Sequence, residues 1–323
     1  MATRVRISKV RAKPPGGALL KAADESAPAE IWRCRTGEPP LREIDRLARE
    51  EPLEIRVLGR SVAVTMRTPG HDAELAAGFL VGEGIIRQRS EVVEIAHCQR
   101  GKEAELQNVL NVFLAPSVEV HFDQLTRHVF ASSSCGVCGK TSIESVHQHF
   151  DPVSPGAEVE MATISGLPER LLSSQKTFAR TGGLHGAAIF SLRGRLIVSR
   201  EDVGRHNAVD KVIGRGFLRG ELPYDNRILL VSGRASFEIL QKALAARIPI
   251  VCAVSAPSSL AVEFAKASGQ TLIGFLRGGS MNIYSHPERI RGSGTQNLNK
   301  SKEDTEALRP KPEGRKKAQK AQK

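Results

Sequence analysis

Ile228-Leu229-Leu230-Val231-Ser232-Gly233-Arg234-Ala235-Ser236 decides the fold: an aliphatic run of buried-strand type, a short polar loop with glycine, then a serine placed to open a helix. The pattern continues outward in both directions. Downstream it predicts a helix over Ser236 to Ala246, a strand over Ile248 to Ala253, a helix over Leu260 to Ala267 and a strand over Thr271 to Leu276. Upstream, Ala187 to Leu192 and Leu196 to Ser199 flank Arg193-Gly194-Arg195 as a hairpin, and Asn207 to Ile213 follows as a helix. Strands alternating with helices of about ten residues specify an α/β three-layer domain.

The chain before this block reads differently. Leu53 to Leu58, Ser61 to Met66 and Val109 to Leu114 are short strand-like runs, and Asp72 to Leu80 is a helix with an acidic first turn that ends near Gly82 and Gly84. That is an α+β pattern. Asp151-Pro152-Val153-Ser154-Pro155-Gly156 breaks it, so the expected layout is a smaller α+β domain over 29–150 and the α/β domain over 151–290. No internal repeat is evident.

The net charge of +12 points to nucleic acid only until it is located. Residues 1–22 carry six basic and no acidic residues, residues 291–323 carry ten basic and four acidic, and the 31 basic and 31 acidic residues between them cancel. Basic disordered tails are therefore expected at 1–28 and 291–323, because they hold too few large apolar side chains to form a core. Nucleic acid is not the expected partner. No run is long and apolar enough for a membrane span, the basic N-terminus leads into Lys13-Pro14-Pro15-Gly16-Gly17 rather than an apolar segment, and five cysteines do not make a disulfide framework. The expected location is the cytoplasm. Cys34, Cys98 and Cys252 read as buried or incidental thiols.

Ser132-Ser133-Ser134-Cys135-Gly136-Val137-Cys138-Gly139-Lys140 is different. It is a CxxC among small residues, placed between an apolar run ending at Ala131 and a helix expected from Thr141. A nearby helix N-terminus and Lys140 would both favour thiolate over the free pKa of roughly 8.5. The spacing fits a sulfur carrier, a redox dithiol, or half of a metal site completed by His121, His128, His147 or His149.

Four glycine-linked polar clusters punctuate the α/β block. They are Thr181 to Gly186, Glu201-Asp202-Val203-Gly204-Arg205-His206-Asn207, Ser232 to Ser236, and Phe275-Leu276-Arg277-Gly278-Gly279-Ser280. Loops that leave strand ends and open helices collect anions, because free N–H groups converge there. A phosphorylated, nucleotide-like ligand is expected, with Arg234 and Arg277 on phosphate and Asp202 accepting from a guanine edge. Structural roles are the expectation for His185 and His206.

Taken together, the CGVCGK loop, Thr181-Gly182-Gly183-Leu184-His185-Gly186-Ala187, Glu201 to Lys211, Ser232-Gly233-Arg234, and Gly274 to Arg277 with Tyr284-Ser285-His286-Pro287 resemble the FdhD family, the formate dehydrogenase accessory sulfurtransferases. The resemblance runs from about residue 30 to about residue 290 and leaves out the basic tails. It implies that a cysteine desulfurase of the IscS type places a persulfide sulfur on Cys135, with Cys138 assisting. The sulfur then passes to the bis-molybdopterin guanine dinucleotide cofactor of molybdenum or tungsten, which formate dehydrogenase needs. Phe275 to Ser280 would bind that cofactor, GDP or GMP could mimic it, and a homodimer is implied.

The resemblance also implies a cytidine deaminase-like fold for the second domain, without its chemistry. Zinc deaminases need a histidine or cysteine two residues before a glutamate and a Pro-Cys-x-x-Cys pair. This chain has Arg205-His206-Asn207-Ala208 and Gly233-Arg234-Ala235-Ser236 in those places, so neither zinc nor deamination is expected. Two rival functions share the same residues. A cytosolic dithiol oxidoreductase would use both thiols and no guanine nucleotide, and a guanine-nucleotide-binding regulatory module would not depend on Cys135.

Overall fold

A computed structural model describes residues 25–99, 101–122 and 150–292. The CxxC segment and both tails lie outside the described residues, apart from the tail ends noted below. The chain opens with a two-stranded antiparallel ribbon, β1 (Ser26–Arg33) and β2 (Leu41–Ala48). The N-terminal tail expected through residue 28 therefore stops short, since Ser26, Ala27 and Pro28 pair with Ala48, Leu47 and Arg46.

A four-stranded sheet follows, built from β3 (Glu51–Val57), β4 (Arg60–Arg67), β5 (Val92–His97) and β6 (Val109–Leu114) in the order β4-β3-β6-β5. Helix α1 (Asp72–Gly82) crosses between β4 and β5, and the short α2 (Gly101–Leu106) precedes β6. After residue 150 come β7 (Val159–Glu160), α3 (Met161–Ser165), α4 (Leu167–Ser174) and α5 (Lys176–Thr181), none of which the hydrophobic periodicity announced.

The larger sheet then forms from β8 (His185–Ser191), β9 (Leu196–Asp202), β10 (Arg227–Val231), β11 (Ile250–Ala253), β12 (Thr271–Arg277) and β13 (Ser280–Ser285), ordered β13-β12-β11-β10-β8-β9. Helices α6 (Arg205–Leu218), α7 (Phe237–Ala245) and α8 (Ser259–Ala267) join its strands, and β14 (Ile290–Arg291) closes the described chain against β7. Arg291 is thus in a strand, although it was assigned to the C-terminal tail. The hairpin β8–β9 and the parallel run β10-β11-β12 agree with the sequence pattern to within a few residues.

Alternation along the buried strands explains the layering. Leu229, Val231, Val251, Ala253 and Leu272 face one apolar cluster with α6, α7 and α8, while Ile228, Leu230, Ile250, Cys252 and Ile273 face another with α3 and α4. Each fully buried aliphatic side chain contributes about 1.5–3 kcal/mol. Cys252 belongs to this core, and burial pushes its thiol pKa up. Cys34 is exposed and Cys98 is half-buried. Among the described residues no helix is long and apolar enough to cross a membrane.

The first cluster also takes in Leu53, Ile55, Leu75, Leu80 and Val112 from the earlier sheet and α1. The two sides of Asp151–Gly156 therefore share buried contacts. Their closest approach is the crossing of α1 on α6, where both helices present glycine. A Cβ at Gly78 would lie 1.9 Å from the Asp210 carbonyl oxygen, and one at Gly214 would lie 1.8 Å from that of Glu74. Arg200 on β9 adds a bidentate grip on Glu74, at 2.6 and 2.8 Å.

Two outcomes follow from this seam. Gly214→Ala should destabilise the fold by at least about 3 kcal/mol, since overpacking against backbone cannot relax by side-chain rotation; an unchanged denaturation midpoint would refute the close crossing. The second outcome concerns acid. Burial pushes the Glu74 carboxyl up, but hydrogen bonds from His71 and Arg200 outweigh it and hold its pKa down at about 2, against an ordinary 4.5. The stabilisation is therefore complete above 4.5 and is lost as pH falls towards 2. The stability gap between the wild type and Arg200→Met should close over that interval; a gap that stays constant would show that Glu74 does not carry it.

Candidate functional site

The sheet order brings four loops and one strand start to a single edge. Strands β10, β11 and β12 run parallel and end there, and β9 also ends there because it is antiparallel to β8, whose first residue His185 pairs with Asp202. Helices α6, α7 and α8 all begin at this rim, with Gly204, Ser236 and Ser258 at their N-cap positions, of which Ser258 alone caps through its side chain. Three helix N-termini thus converge beside the strand ends, the arrangement that favours anions, although at α8 the Ala261 N–H is already taken by Ser258 Oγ.

Main-chain bonds fix the loops to one another. Ser232 donates to Gly186 O at 2.9 Å, and its Oγ accepts from Gly186 N at 2.9 Å. Ala235 donates to Ala256 O, Ser258 to Ala235 O, and Phe275 to Ser255 O, at 3.0–3.2 Å. The rim is a stitched surface rather than a set of independent turns.

Phe275 to Ser280, expected as the cofactor segment, forms the hairpin that joins β12 to β13. Gly278 and Gly279 both have positive φ, +56° and +76°, which is what a tight two-residue turn between twisted strands requires. Phe275 also has a positive φ, +51°, at the irregularity where the register shifts between Gly274 and Arg277. Leu276 is buried, whereas Arg277, Gly278, Gly279 and Ser280 are exposed. The Arg277 guanidinium lies 5.8 Å from the Phe275 ring centroid, within cation–π range.

Arg234 is exposed on the neighbouring loop and makes no hydrogen bond or ion pair among the described residues. Both arginines expected to meet phosphate are therefore available at the rim.

Asp202 is placed otherwise. It is 0 % exposed, and both carboxylate oxygens are occupied within the chain. One accepts from Gly204 N at 2.8 Å and Asn207 Nδ2 at 3.0 Å, and the other accepts from Thr68 N at 3.2 Å and pairs with Lys211 Nζ at 2.7 Å. The guanine contact expected of Asp202 is corrected accordingly: it anchors the loop, and no acceptor is left to face a ligand.

Asn207 stands in one of the glycine-linked clusters singled out in the sequence, whereas Thr68 and Lys211 were given no role at the site. Lys211 also donates to Thr68 O at 2.9 Å, and Asn207 Nδ2 to Met66 O at 2.8 Å. The available signal was the i, i+4 spacing of Asn207 and Lys211, which puts both on one helix face towards Asp202.

Two further groups line the rim. His185 is half-buried beside Gly233, where a Cβ would come within 3.4 Å of its Nδ1. Desolvation, and then the Arg205 charge, lower its pKa and so favour neutral imidazole. Arg205 Nε is buried with no partner among the described residues, an unsatisfied donor at the start of α6. His206 Nε2 lies 3.0 Å from both Ser236 Oγ and Glu238 Oε2 and joins α6 to α7. Burial pushes the Glu238 carboxyl up, but His206 outweighs it and holds the pKa low. Among the described residues no group of three or more His, Cys, Asp or Glu side chains is arranged to hold a metal.

Cys135 and Cys138 lie outside the described residues, as do His128, His147 and His149. The chain leaves the described structure after Phe122, whose ring carries the Arg60 guanidinium at 4.8 Å, and returns at Phe150 beside Gly84.

Breaking the anchor should be costly. Asp202→Asn leaves Lys211 as an uncompensated buried charge, so a loss of about 3–5 kcal/mol is expected. Replacing both residues together, with Asn and Met, should recover part of it. A single variant as stable as the wild type in urea would show that the pair is not buried as described.

Comparison with known proteins adds an independent line. The family model described as the FdhD/NarQ family matches residues 48–291. A protein named Sulfur carrier protein FdhD from Mycobacterium bovis is 53% identical over 253 residues, covering 76% of this chain and 92% of that relative. One of the same name from Streptomyces avermitilis is 49% identical over 266 residues, covering 81% and 94%. Among solved structures, a protein assigned as a formate dehydrogenase accessory protein, from Desulfotalea psychrophila, superposes with a TM-score of 0.65 at 29% identity, covering 82% of this chain and 99% of that one.

Proposed function

This chain belongs to the FdhD/NarQ family, and from that membership we propose that it is a sulfur carrier serving formate dehydrogenase. Cys135 takes the sulfur. As thiolate it attacks the outer sulfur of a persulfide on a cysteine desulfurase of the IscS type. A new S–S bond forms on Cys135, and the donor's own S–S bond breaks to release its thiolate. Cys138 holds or resolves the loaded loop. In the transfer, the Cys138 thiolate attacks the Cys135 sulfur, a Cys135–Cys138 disulfide forms, the persulfide S–S bond breaks, and the outer sulfur leaves as sulfide to the metal of the bis-molybdopterin guanine dinucleotide cofactor, which is the substrate of the transfer.

The observation that carries this reading is the reach of the family match, which spans the CxxC motif and the rim hairpin alike. The rim supplies a chemically suitable berth for the nucleotide end of the cofactor. Arg277 and Arg234 are exposed on the rim where three helices begin, and Arg205 Nε at the start of α6 is a buried donor with no partner among the described residues. The open glycine turn at Gly278 and Gly279, where an added Cβ would meet nothing within 4 Å, lets backbone approach a bulky ligand.

The same reading gives the α/β block a cytidine deaminase-like fold without zinc chemistry. Supporting it are the hairpin β8–β9 leading into α6, and the arginine, histidine and serine residues that stand where metal ligands would be needed. The cytoplasm is the proposed setting, with a cysteine desulfurase and apo formate dehydrogenase as partners.

The test separates loading from binding. With a cysteine desulfurase and L-cysteine, Cys135 should gain a sulfur atom by peptide mass, and Cys135→Ala should not, while GDP still binds the variant. Arg277→Ala should load sulfur normally yet bind GDP roughly tenfold or more weakly, as expected for one lost charge-assisted hydrogen bond. A Cys135 to Cys138 disulfide as the sole product would favour the oxidoreductase instead. Full maturation of formate dehydrogenase by Cys135→Ala would favour the nucleotide-binding module.

A further inference from the structure

Two turns of the rim run alike yet use their serines differently. Val231 to Ser236 and Ala253 to Ser258 each lead from a strand end to a serine at the N-cap position, and the bridge of Ala235 to Pro257 joins them. The backbone is nearly the same at both serines, with φ −95° and ψ 166° at Ser236 and φ −84° and ψ 159° at Ser258. Ser258 caps its helix: its Oγ accepts from Ala261 N at 3.2 Å. Ser236 does not. No side chain caps α7, and the Ser236 Oγ lies 3.0 Å from His206 Nε2 on α6 instead.

Glu238 decides the direction of that bond. Its Oε2 also stands 3.0 Å from His206 Nε2, and its carboxyl, pushed up by burial but held low by His206, is ionised and can only accept. Nε2 therefore carries a proton and donates to both oxygens. The imidazole is then no base towards Ser236, so these three residues are not a nucleophilic triad. The serine oxygen accepts from His206 and keeps its own proton to donate elsewhere. Ser236 is half-buried, two residues from the exposed Arg234. Arg205 reaches the same loop, since its Cδ would lie 3.7 Å from a Cβ at Gly233, and its Nε is a buried donor with no partner among the described residues.

We propose that Ser236 is a ligand-binding residue of the rim, its hydroxyl donating to a phosphate oxygen of a nucleoside diphosphate group, and that His206 is the positioning residue that withholds this hydroxyl from capping α7. The inference rests on the reading of the rim as the berth for the nucleotide end of the cofactor. Capping in the manner of Ser258 would spend the Ser236 oxygen on Ile239 N, three residues on. Holding it on His206 leaves both that N–H and the serine O–H free, so one contact releases two donors. Together with the Arg234 guanidinium they offer hydrogens and no acceptor, which suits phosphate oxygens, acceptors only when ionised, better than a sugar hydroxyl.

Calorimetry on the full chain tests this with GDP and with its two halves, guanosine and inorganic pyrophosphate. Ser236→Ala should weaken GDP and pyrophosphate roughly tenfold and leave guanosine unchanged. His206→Leu should match that loss, and the double variant should lose no more than either single one, because both remove the same contact. His206→Gln, whose amide N–H can reach the same oxygen, should recover most of the affinity. A residue that merely supported the fold would weaken guanosine equally and add in the double variant, and either result overturns the proposal. Wild-type GDP affinity in Ser236→Ala overturns it too, while leaving the nucleotide reading of the rim in place. A wild type that binds neither GDP nor pyrophosphate removes both.

Discussion

The buried pair of Asp202 with Lys211 is the contact on which the rim depends. A fully buried carboxylate is costly to desolvate, and an ammonium beside it offsets that cost only if the remaining hydrogen-bonding positions are filled. Here they are filled from three places: Gly204 and Asn207 at the start of α6, Thr68 after β4, and the Glu201 carbonyl at 3.4 Å from Lys211. Val203 N donates in turn to Thr68 Oγ1 at 3.1 Å. The loop that opens α6 is thereby held to the earlier sheet as well as to its own helix. Such a node contributes geometry more than net stability, and what it fixes is the direction in which the first turn of α6 points.

Legibility in the sequence followed the source of each element's order. Strands such as Ile228 to Val231 and helices such as Phe237–Ala245 are specified by local apolar periodicity, and they emerged almost at their observed bounds. The ribbon did not. Ser26 to Ala48 alternates glutamate and arginine with apolar residues, and cross-strand ion pairs between residues ten or more apart hold it together. Helices α3 to α5 are each shorter than nine residues, too short for a helical period to declare itself. At the rim, the turn at Gly278 and Gly279 was legible because turn chemistry is local. Asp202 was misread because its burial depends on Thr68, distant in sequence.

A regularity hidden from residue identities also emerged. Val231 to Ser236 and Ala253 to Ser258 follow the same course: a strand end, a two-residue bend, one residue bridging to the other loop, and a serine cap. The bridge pairs Ala235 with Pro257. The two stretches share little beyond that serine, Gly233 and Arg234 standing where Ser255 and Ala256 stand in the second, so no repeat was legible. The likeness constrains the next strand. Pro257 presses on β12 so closely that a Cβ at Gly274 would lie 2.9 Å from its Cδ, which accounts for glycine within a buried strand.

Charge at the rim arises from arrangement rather than composition. Between the tails, acidic and basic residues balance, and many arginines are spent on fixed partners: Arg67 on Asp72, Arg200 on Glu74, Arg215 on Glu221. Arg205, Arg234 and Arg277 are not paired in this way among the described residues, and they stand respectively at the start of α6, in the loop after β10 and at the end of β12. The nearby carboxylate Asp202 is paired with Lys211 and so does not cancel them, while Glu238 is hydrogen-bonded to His206. Helix N-termini add partial positive charge at the same edge. A scaffold that is neutral between its tails can thus present unpaired arginines at one rim without an excess of basic residues in the folded chain.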